Sequence, residues 1–223
     1  MKTCIIIPTY NESRAIGELI RQVRSQNLDV VVIDDGSYDN TSQVAQDNGA
    51  IVLRNQNNEG KGASLIKGFD YALSRNFDAV ITMDGDGQHQ PSDIPYFIRL
   101  ATSSTCGVLI GNRMSKRRNM PLVRVLANKF MSWLISKITK QRIPDTQCGF
   151  RLLKKEVLEK LHLKTFKYET ESEVLIKAAR LGFKIEPVPI KAVYQGEKSQ
   201  INPFIDTLRF IGFIIREIRE RPF

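Results

Sequence analysis

The sequence predicts an α/β fold with a mostly parallel central sheet and helices on both of its faces. Short apolar runs alternate with segments of helical character along the first half of the chain. The runs lack the polar alternation of half-exposed strands, which is typical of parallel strands buried on both faces. At 223 residues with 42% hydrophobic and 26% charged residues, the chain fits one folded domain with a substantial core. We therefore expect a single domain over 1–223.

Each predicted strand ends at a polar or glycine-containing turn. The first four strands are predicted at Cys4–Pro8, Val30–Asp34, Ala50–Leu53 and Ala79–Met83, with helices between them at Ser13–Ser25, Thr41–Asn48 and Gly62–Arg75. Such an order favours right-handed β-α-β units. A fifth strand is predicted at Gly107–Gly111 and a late one at Ile185–Val193, where Pro187 and Pro189 indicate an edge position.

Two amphipathic helices are predicted in the second half, at 120–140 and 203–219. In the first, a narrow polar stripe faces a wide apolar arc that contains Phe130 and Trp133, and the basic stretch Lys116–Arg118 precedes it. This pattern favours a helix at a membrane interface, although a core helix or a dimer contact would give a similar one. The second helix has Phe204, Leu208, Ile211, Ile215 and Ile218 on one side, and we expect that side to pack or to contact a membrane-bound subunit.

Charge and composition restrict the partner and the compartment. The net charge is +9, and residues 94–144 contain ten Lys or Arg and no acidic residue. Such a segment favours an anionic partner, whether nucleic acid, a phosphorylated small molecule or an anionic membrane surface. The apolar stretches fall far short of the roughly 20 residues that span a bilayer. Three cysteines without metal-ligand spacing and no visible signal peptide predict a cytoplasmic protein. Together with the interfacial character of the helix at 120–140, this predicts a protein that is peripheral at the cytoplasmic face of the membrane.

Polar loops follow three of the predicted strands, where ligands of open α/β sheets bind. They are 8–12, 34–41 and 84–89. Turn and helix-cap chemistry explains Asp39 and Thr41 as well as a binding role does, but it explains Asp35 and Glu12 less well.

The third loop contains Asp84-Gly-Asp86-Gly-Gln88. Because side chains alternate along an extended chain, we expect Asp84, Asp86 and Gln88 to project from one face. Three hard oxygen donors suit Mg²⁺ or Mn²⁺ and leave positions for diphosphate oxygens. A solvated Asp-Gly turn is the alternative interpretation.

Asn58–Ala63 resembles a phosphate loop without being one. A Walker A motif requires glycine at Asn55 and Ser or Thr at Gly62, and no dinucleotide fingerprint follows the first strand. Lys61 is expected to face a bound nucleotide, or else to belong to a glycine turn that begins a helix.

Six motifs in order make the sequence similar to family 2 glycosyltransferases with the GT-A fold, in the branch of dolichyl-phosphate mannose synthases and polyprenyl-phosphate glycosyltransferases. They are Pro8-Thr-Tyr-Asn-Glu12, Asp34-Asp-Gly-Ser37, Gly60-Lys-Gly62, Asp84-x-Asp-Gly-Gln-His89, Gly111-x-Arg113 and Asp145-x-Gln-Cys-Gly-Phe-Arg151. The resemblance spans about residue 3 to residue 200 and implies a nucleotide-sugar-binding half at 1–113, an acceptor-side half at 114–200 and a C-terminal amphipathic helix at 201–223.

The resemblance also implies roles for individual residues. Pro8, Tyr10, Glu12 and Asp35 would contact the nucleotide, Asp84 the nucleotide and the metal region, and Asp86 and Gln88 the metal that bridges the donor diphosphate. Arg113 and Arg151 would lie near the donor or acceptor phosphate. Late in the chain, Tyr194–Ser199 departs from the family's order and lacks its arginine, so only Lys198 is expected to close over the diphosphate.

The expected reaction is an inverting transfer of a sugar from a GDP- or UDP-linked donor to a polyprenyl phosphate. That acceptor is ionised at neutral pH and needs no general base, which suits a sequence in which His89 is expected at the surface or behind the site. Transfer to a glycan or small-molecule hydroxyl is the alternative and would require Asp145, Glu171 or Glu173 as the base. A noncatalytic nucleic-acid-binding protein is the remote alternative, and it leaves the three carboxylate loops unexplained.

Overall fold

A computed structural model describes residues 1–116, 122–191 and 203–219. Its centre is a seven-stranded sheet in the order β3-β2-β1-β4-β6-β5-β7. The strands are β1 Thr3–Thr9, β2 Asp29–Asp34, β3 Ile51–Arg54, β4 Ala79–Thr82, β5 Val108–Asn112, β6 Arg151–Lys154 and β7 Ile185–Pro189. The helices are α1 Ile16–Arg24, α2 Thr41–Asp47, α3 Lys61–Ser74, α4 Ile94–Ser103, α5 Leu122–Thr139, α6 Lys155–Leu158, α7 Glu169–Arg180 and α8 Pro203–Arg219.

The first half confirms the predicted β-α-β arrangement. Strands β1, β2, β3 and β4 are all parallel, with β1 in the middle between β2 and β4. All seven residues of β1 and all four of β4 are buried, because helices cover both faces of the sheet. The carboxyl ends of β1, β2 and β4 therefore meet at one edge, which we call the donor edge.

The second half contains a strand that the sequence did not reveal. Strand β6 is antiparallel to both β4 and β5, and it begins at Arg151, which the motif analysis considered only as a phosphate ligand. Four residues are too few to show a period, and what makes them a strand is the gap between β4 and β5 that they fill. Helix α4, between β4 and β5, was also missed. The late strand is confirmed at the sheet edge, paired in parallel with β5, but it ends at Pro189, and residues 192 and 193 of the predicted range lie outside the described residues.

The two amphipathic helices form as predicted, and both contact α7. Helix α7 packs against α5 and against α8. Helix α8 is attached by an ion pair in which Arg180 Nη1 lies 2.5 Å from Glu217 Oε2, a side chain that is only 2% exposed. Lys198 and most of the basic stretch before α5 lie outside the described residues.

Candidate active site

The first two loops of the donor edge are fixed to each other by hydrogen bonds. The Asn11 backbone N–H donates to Ser37 Oγ at 2.9 Å, and its amide oxygen accepts from the Tyr38 N–H at 2.9 Å. The Glu12 N–H donates to Thr41 Oγ1 at 2.9 Å. Asn11 adopts a left-handed backbone with φ 58°, a conformation that asparagine tolerates better than most residues. The loop that carries Glu12 is therefore held by the neighbouring loop.

The predicted nucleotide-binding residues lie along these loops. Pro8 is buried near the end of β1, and Tyr10 is half-buried and meets the ring of Tyr38 edge-on at a centroid distance of 6.2 Å. Tyr38 is 89% exposed. Glu12 lies next to the third loop, since a Cβ built on Gly85 would be 3.5 Å from Glu12 Cγ. The structure thus places Pro8, Tyr10 and Glu12 on one loop that borders the Asp84 loop.

Asp35 is buried and fully engaged with the loop that precedes α3. Its Oδ1 accepts from Asn55 Nδ2 at 2.8 Å and from the Glu59 N–H at 3.0 Å, and its Oδ2 accepts from the Gly60 N–H at 2.8 Å. None of these partners could be foreseen, because they are 20 to 25 residues away along the chain. Asp35 therefore fixes the loop that leads to Lys61, and this role is independent of any contact with a nucleotide.

The predicted geometry of the Asp84 loop was wrong. Strand β4 ends at Thr82, and the following residues form a turn in which Gly87 has φ +74°. The Oδ1 of Asp86 accepts the Gln88 N–H at 3.0 Å, a local side-chain turn. The alternation of an extended strand therefore does not operate here, and any convergence of Asp84, Asp86 and Gln88 comes from the turn.

Lys61 forms an ion pair with Asp84. Its ammonium lies 2.5 Å from Asp84 Oδ1 and 3.3 Å from Glu171 Oε1. Burial alone would lower the pKa of Lys61, but the charges of Asp84 and Glu171 outweigh it and raise that pKa. Burial alone would raise the pKa of Asp84, yet Lys61 holds it well below its usual range. Both groups are therefore charged at neutral pH.

Two glycines explain how Lys61 reaches this position. Gly60 has φ +104°, and a Cβ on Gly62 would lie 1.9 Å from Thr170 Oγ1 and 2.6 Å from the carbonyl carbon of Phe166. The Ala63 N–H donates to the Phe166 carbonyl at 3.0 Å. The start of α3 therefore lies directly against the segment that leads into α7. The glycines of Gly60-Lys61-Gly62 allow close packing between the two segments. The backbone here is a glycine turn that begins a helix, as one of the two interpretations of this motif predicted.

His89 is buried behind the Asp84 loop. It is 3% exposed, stacks on Phe150 at a centroid distance of 5.5 Å, and its Nδ1 accepts the Asp84 N–H at 3.3 Å. Burial lowers the pKa of His89 to about 4. The surface alternative for His89 was therefore wrong, and the neutral ring supports the loop from behind.

The two predicted arginines have different surroundings. Arg113 makes a bidentate pair with the fully buried Asp145, with Nε to Oδ2 at 2.8 Å and Nη2 to Oδ1 at 2.9 Å, and its side chain is 13% exposed. Arg151 is 3% exposed and donates to three backbone carbonyls, those of Cys148, Thr146 and Glu171. Arg151 therefore connects the segment before β6 with the start of α7, whereas Arg113 retains some access to solvent.

The three carboxylates considered as general bases also differ. Asp145 is occupied by Arg113, and Glu173 is fully buried and accepts from the backbone N–H groups of Lys164 and Thr165 and from Lys177 Nζ. Glu171 is 13% exposed and lies at the donor edge. Only Glu171, among these three, has the access that a base requires.

The residues of the donor edge fit a divalent cation that is shared with a diphosphate. Asp84, Asp86 and Gln88 offer hard oxygen donors, the type that Mg²⁺ and Mn²⁺ prefer. Within the described ranges, no three His, Cys, Asp or Glu side chains are grouped so that they could hold a metal ion by themselves. Mg²⁺ sites with one or two protein carboxylates are commonly completed by substrate phosphates.

Helix α5 presents its polar stripe to the protein and apolar side chains to the outside. Ser132 is 3% exposed and accepts the Thr146 N–H at 2.9 Å, and Asn128 is 6% exposed. Leu126, Phe130 and Trp133 are 67%, 60% and 57% exposed. We call these three side chains the outer face of α5.

Helix α8 corrects one prediction. Phe210, Phe213 and Ile214 are buried, whereas Ile211 and Ile215 are 44% and 46% exposed. Ile211 and Ile215 are therefore not on the packing side of the helix, and the alternative that their side contacts a membrane-bound subunit stays a prediction. Within the parts of the chain that are described, no helix has the length and apolar character needed to cross a membrane.

Comparison with known proteins identifies the family. The model of glycosyl transferase family 2 matches residues 4–162, more than half of the chain. The chain therefore belongs to this family and is a glycosyltransferase, as its motifs predicted.

The names of two curated relatives include a lipid acceptor. UDP-N-acetylglucosamine--dolichyl-phosphate N-acetylglucosaminyltransferase of Methanococcus voltae is 30% identical, covering 85% of this chain and 85% of its own. Undecaprenyl-phosphate mannosyltransferase of Micrococcus luteus is 30% identical, covering 86% of this chain and 84% of its own. These similarities support the polyprenyl-phosphate branch of the family.

A solved structure confirms the fold class. Glucosyl-3-phosphoglycerate synthase from Mycobacterium tuberculosis, in complex with Mn²⁺, UDP and glucosyl-3-phosphoglycerate, superposes with a TM-score of 0.76 at 18% identity, covering 97% of this chain and 79% of the other. The same protein is also known with Mg²⁺ and UDP. The predicted α/β, GT-A-like architecture is confirmed.

Proposed function

We propose that this glycosyltransferase moves a sugar from a GDP- or UDP-linked donor to a polyprenyl or dolichyl phosphate at a membrane surface, with inversion and with Mg²⁺ or Mn²⁺. The observation that carries the lipid acceptor is the orientation of α5, which buries Asn128 and Ser132 and exposes Leu126, Phe130 and Trp133. A helix in contact with water alone would be expected in the opposite orientation. The names of the two curated relatives support the same acceptor class.

The donor would bind across the donor edge. We assign nucleotide contacts to Pro8, Tyr10, Glu12 and Asp35, and metal contacts to Asp84, Asp86 and Gln88. When bound, the metal would supply Lewis-acid stabilisation of the leaving diphosphate. Lys61 and the partly exposed Arg113 add positive charge where negative charge develops, which lowers the barrier without any change in their protonation.

Arg151 has a supporting role in this proposal. Its three carbonyl partners hold the segment that precedes β6 and the start of α7, so it positions the site without contacting the reacting atoms. We also propose that Lys198 closes over the diphosphate. The division into a donor half at 1–113 and an acceptor half at 114–200 is part of the same proposal.

A phosphate acceptor agrees with the state of the carboxylates. It arrives ionised and needs no base, and two of the three candidate bases, Asp145 and Glu173, are committed to buried hydrogen bonds. For transfer to a hydroxyl acceptor, Glu171 is the one of these three carboxylates that is accessible enough to act as the base. Family membership removes the noncatalytic alternative.

A transfer assay tests the proposal. We expect the protein to convert labelled GDP- or UDP-sugar to a lipid-linked product when a polyprenyl phosphate and Mn²⁺ or Mg²⁺ are present, and Asp86→Ala to abolish conversion. Glu171→Gln should leave substantial turnover. Turnover with a sugar hydroxyl but not with the lipid phosphate, together with its loss in Glu171→Gln, would overturn the acceptor assignment.

A further inference from the structure

Four charged side chains form a compact cluster between the end of β4 and the starts of α3 and α7. Lys61 contacts Asp84 at 2.5 Å and Glu171 at 3.3 Å, and Arg151 Nη2 lies 3.8 Å from Glu171. We call Lys61, Asp84, Glu171 and Arg151 the charge cluster. Its two carboxylates and two cations compensate each other.

The cluster is largely screened from water, and the backbone that carries Lys61 is closely packed. The exposed fractions of its side chains are 21% for Lys61, 27% for Asp84, 13% for Glu171 and 3% for Arg151. Lys61 begins α3 at the point where Gly62 contacts the segment before α7, so its backbone has little room to withdraw. In such partly buried surroundings, an unpaired charge costs more than it would in water.

This arrangement has a consequence for a cation that binds at Asp84. A divalent ion would have to share the carboxylate with an ammonium 2.5 Å away and would be repelled by it. A diphosphate would change the balance, because its oxygens offer Lys61 another partner and add negative charge beside the metal. The metal and the nucleotide should therefore favour each other's binding.

We propose that Lys61 is a built-in counter-ion that blocks Asp84 from holding a divalent cation until a donor diphosphate draws the ammonium away. This inference rests on the proposed function, because it takes Asp84 as a metal contact and a nucleotide diphosphate as the ligand. It gives Lys61 a second role besides that of a phosphate contact: it couples metal entry to donor entry and disfavours a metal-loaded enzyme without its donor.

The test measures Mn²⁺ affinity directly, without turnover. The full chain is titrated with Mn²⁺ under electron paramagnetic resonance, alone and with saturating UDP or GDP, whichever raises the melting temperature. For wild type we expect weak binding alone and much tighter binding with nucleotide. For Lys61→Met we expect Mn²⁺ to bind the free protein about tenfold more tightly, so that the gain on adding nucleotide shrinks by a similar factor.

Lys184→Met is the matched control. Lys184 also lies 2.5 Å from a carboxylate, that of Glu186, but it precedes β7 and takes no part in the donor edge. The control loses the same charge and a pair of the same length, and it should titrate like wild type. Circular dichroism and thermal melting check folding, and Lys61→Gln replaces Lys61→Met if the latter does not fold.

Each outcome has a separate meaning. Equal Mn²⁺ affinity of free wild type and free Lys61→Met, with nucleotide coupling intact in both, would overturn the counter-ion role and leave the proposed function standing. Wild type that binds neither nucleotide nor Mn²⁺ would overturn both. Tighter binding in the control as well would show a general charge effect and would also reject the proposal.

Discussion

The donor edge and the outer face of α5 differ in how far their side chains find partners within the described chain. At the donor edge, polar groups that are distant in sequence bond to one another, as Asp35 does with Asn55 and Gly60 and Arg113 does with Asp145. On the outer face of α5, Phe130 and Trp133 stack on each other at a centroid distance of 6.2 Å while more than half of each side chain is exposed. The polar groups named at the donor edge are hydrogen-bonded within the chain, whereas the outer face of α5 leaves apolar surface exposed for a binding partner.

This difference indicates where the protein is preformed and where it depends on its surroundings. Buried polar networks are costly unless every group is satisfied, so the backbone of the donor edge is formed before any ligand arrives, and only the Lys61 ammonium is proposed to move when a diphosphate binds. An exposed apolar row gains stability only when something covers it. Substitutions at the donor edge should therefore change catalysis or folding, and substitutions on the outer face of α5 should change association alone.

After the loss of conversion expected for Asp86→Ala, the largest expected effect is on catalysis, at Asp84. Asp84→Asn keeps the size of the side chain but removes the charge that faces Lys61 and the proposed metal. We expect kcat/KM to fall by about 10²–10³, the range found when one preorganised electrostatic contact is lost. Initial rates with the nucleotide sugar and lipid phosphate measure this. Asp47→Asn, at an exposed position on α2, is the control, and a loss of less than threefold in Asp84→Asn would contradict the assignment.

A large effect on stability is expected at Gly62. A Cβ there would overlap Thr170 and the Phe166 backbone, and we expect Gly62→Ala to cost about 3 kcal/mol, the upper end for overpacking. Urea unfolding measures the free energy. Gly212→Ala on α8 is the matched control, because its Cβ would meet no described atom within 4 Å and alanine favours a helix by up to about 1 kcal/mol. Equal stability of the two variants would show that the contact at Gly62 is not tight.

The same contrast explains what the sequence could predict. Apolar runs and the polar loops after them follow from local pattern, and so the strands β1 to β5 and the donor edge were foreseen. Helix α8 shows the limit, because apolar residues occur on both of its sides and the pattern alone placed Ile211 and Ile215 on the side expected to pack or to contact a subunit. Phe210 and Phe213 are buried instead, on a helix that contacts α7, and no local pattern contains that long-range contact.

Partner choice inside the site was also hidden. Arg151 ends the Asp145–Arg151 motif, which indicates a cation near phosphate, but the antiparallel insertion of β6 buries it among carbonyls. Asp145 was considered as a base because nothing in the sequence pairs it with Arg113, which is 32 residues away. Residue type and order located the site, whereas the hydrogen bonds within it depend on the three-dimensional fold.

A moderate, pH-dependent effect is expected at Glu173, which secures the segment that Gly62 contacts. Burial would raise the pKa of Glu173, but hydrogen bonds from Lys177 and Thr165 outweigh it and lower the pKa below the ordinary 4.5. A lowered carboxylate pKa stabilises the fold above pH 4.5, and that stability is lost as pH falls through the folded-state pKa. We expect Glu173→Gln to cost about 2 kcal/mol at pH 7 and to lose less on acidification than wild type.

Urea unfolding from pH 7 down to pH 3 measures this difference. Glu159→Gln, whose side chain is 53% exposed, should follow the wild-type curve. A Glu173→Gln curve parallel to that of wild type across the whole range would show that the carboxylate is not the source of the acid sensitivity.

The smallest effect on the isolated protein is expected on the outer face of α5. Phe130→Ser with Trp133→Gln should leave the free energy of unfolding within about 0.5 kcal/mol, since exposed substitutions rarely change it more. Flotation with vesicles that contain anionic lipid should fall about tenfold, because apolar burial and charge together determine interfacial binding. Ser132→Ala reverses the pattern: it removes the acceptor for the Thr146 N–H and should cost about 1 kcal/mol while flotation is retained. If the Phe130→Ser, Trp133→Gln variant floats as well as wild type, the outer face of α5 does not bind lipid, and the contrast between the donor edge and this face does not reflect membrane binding.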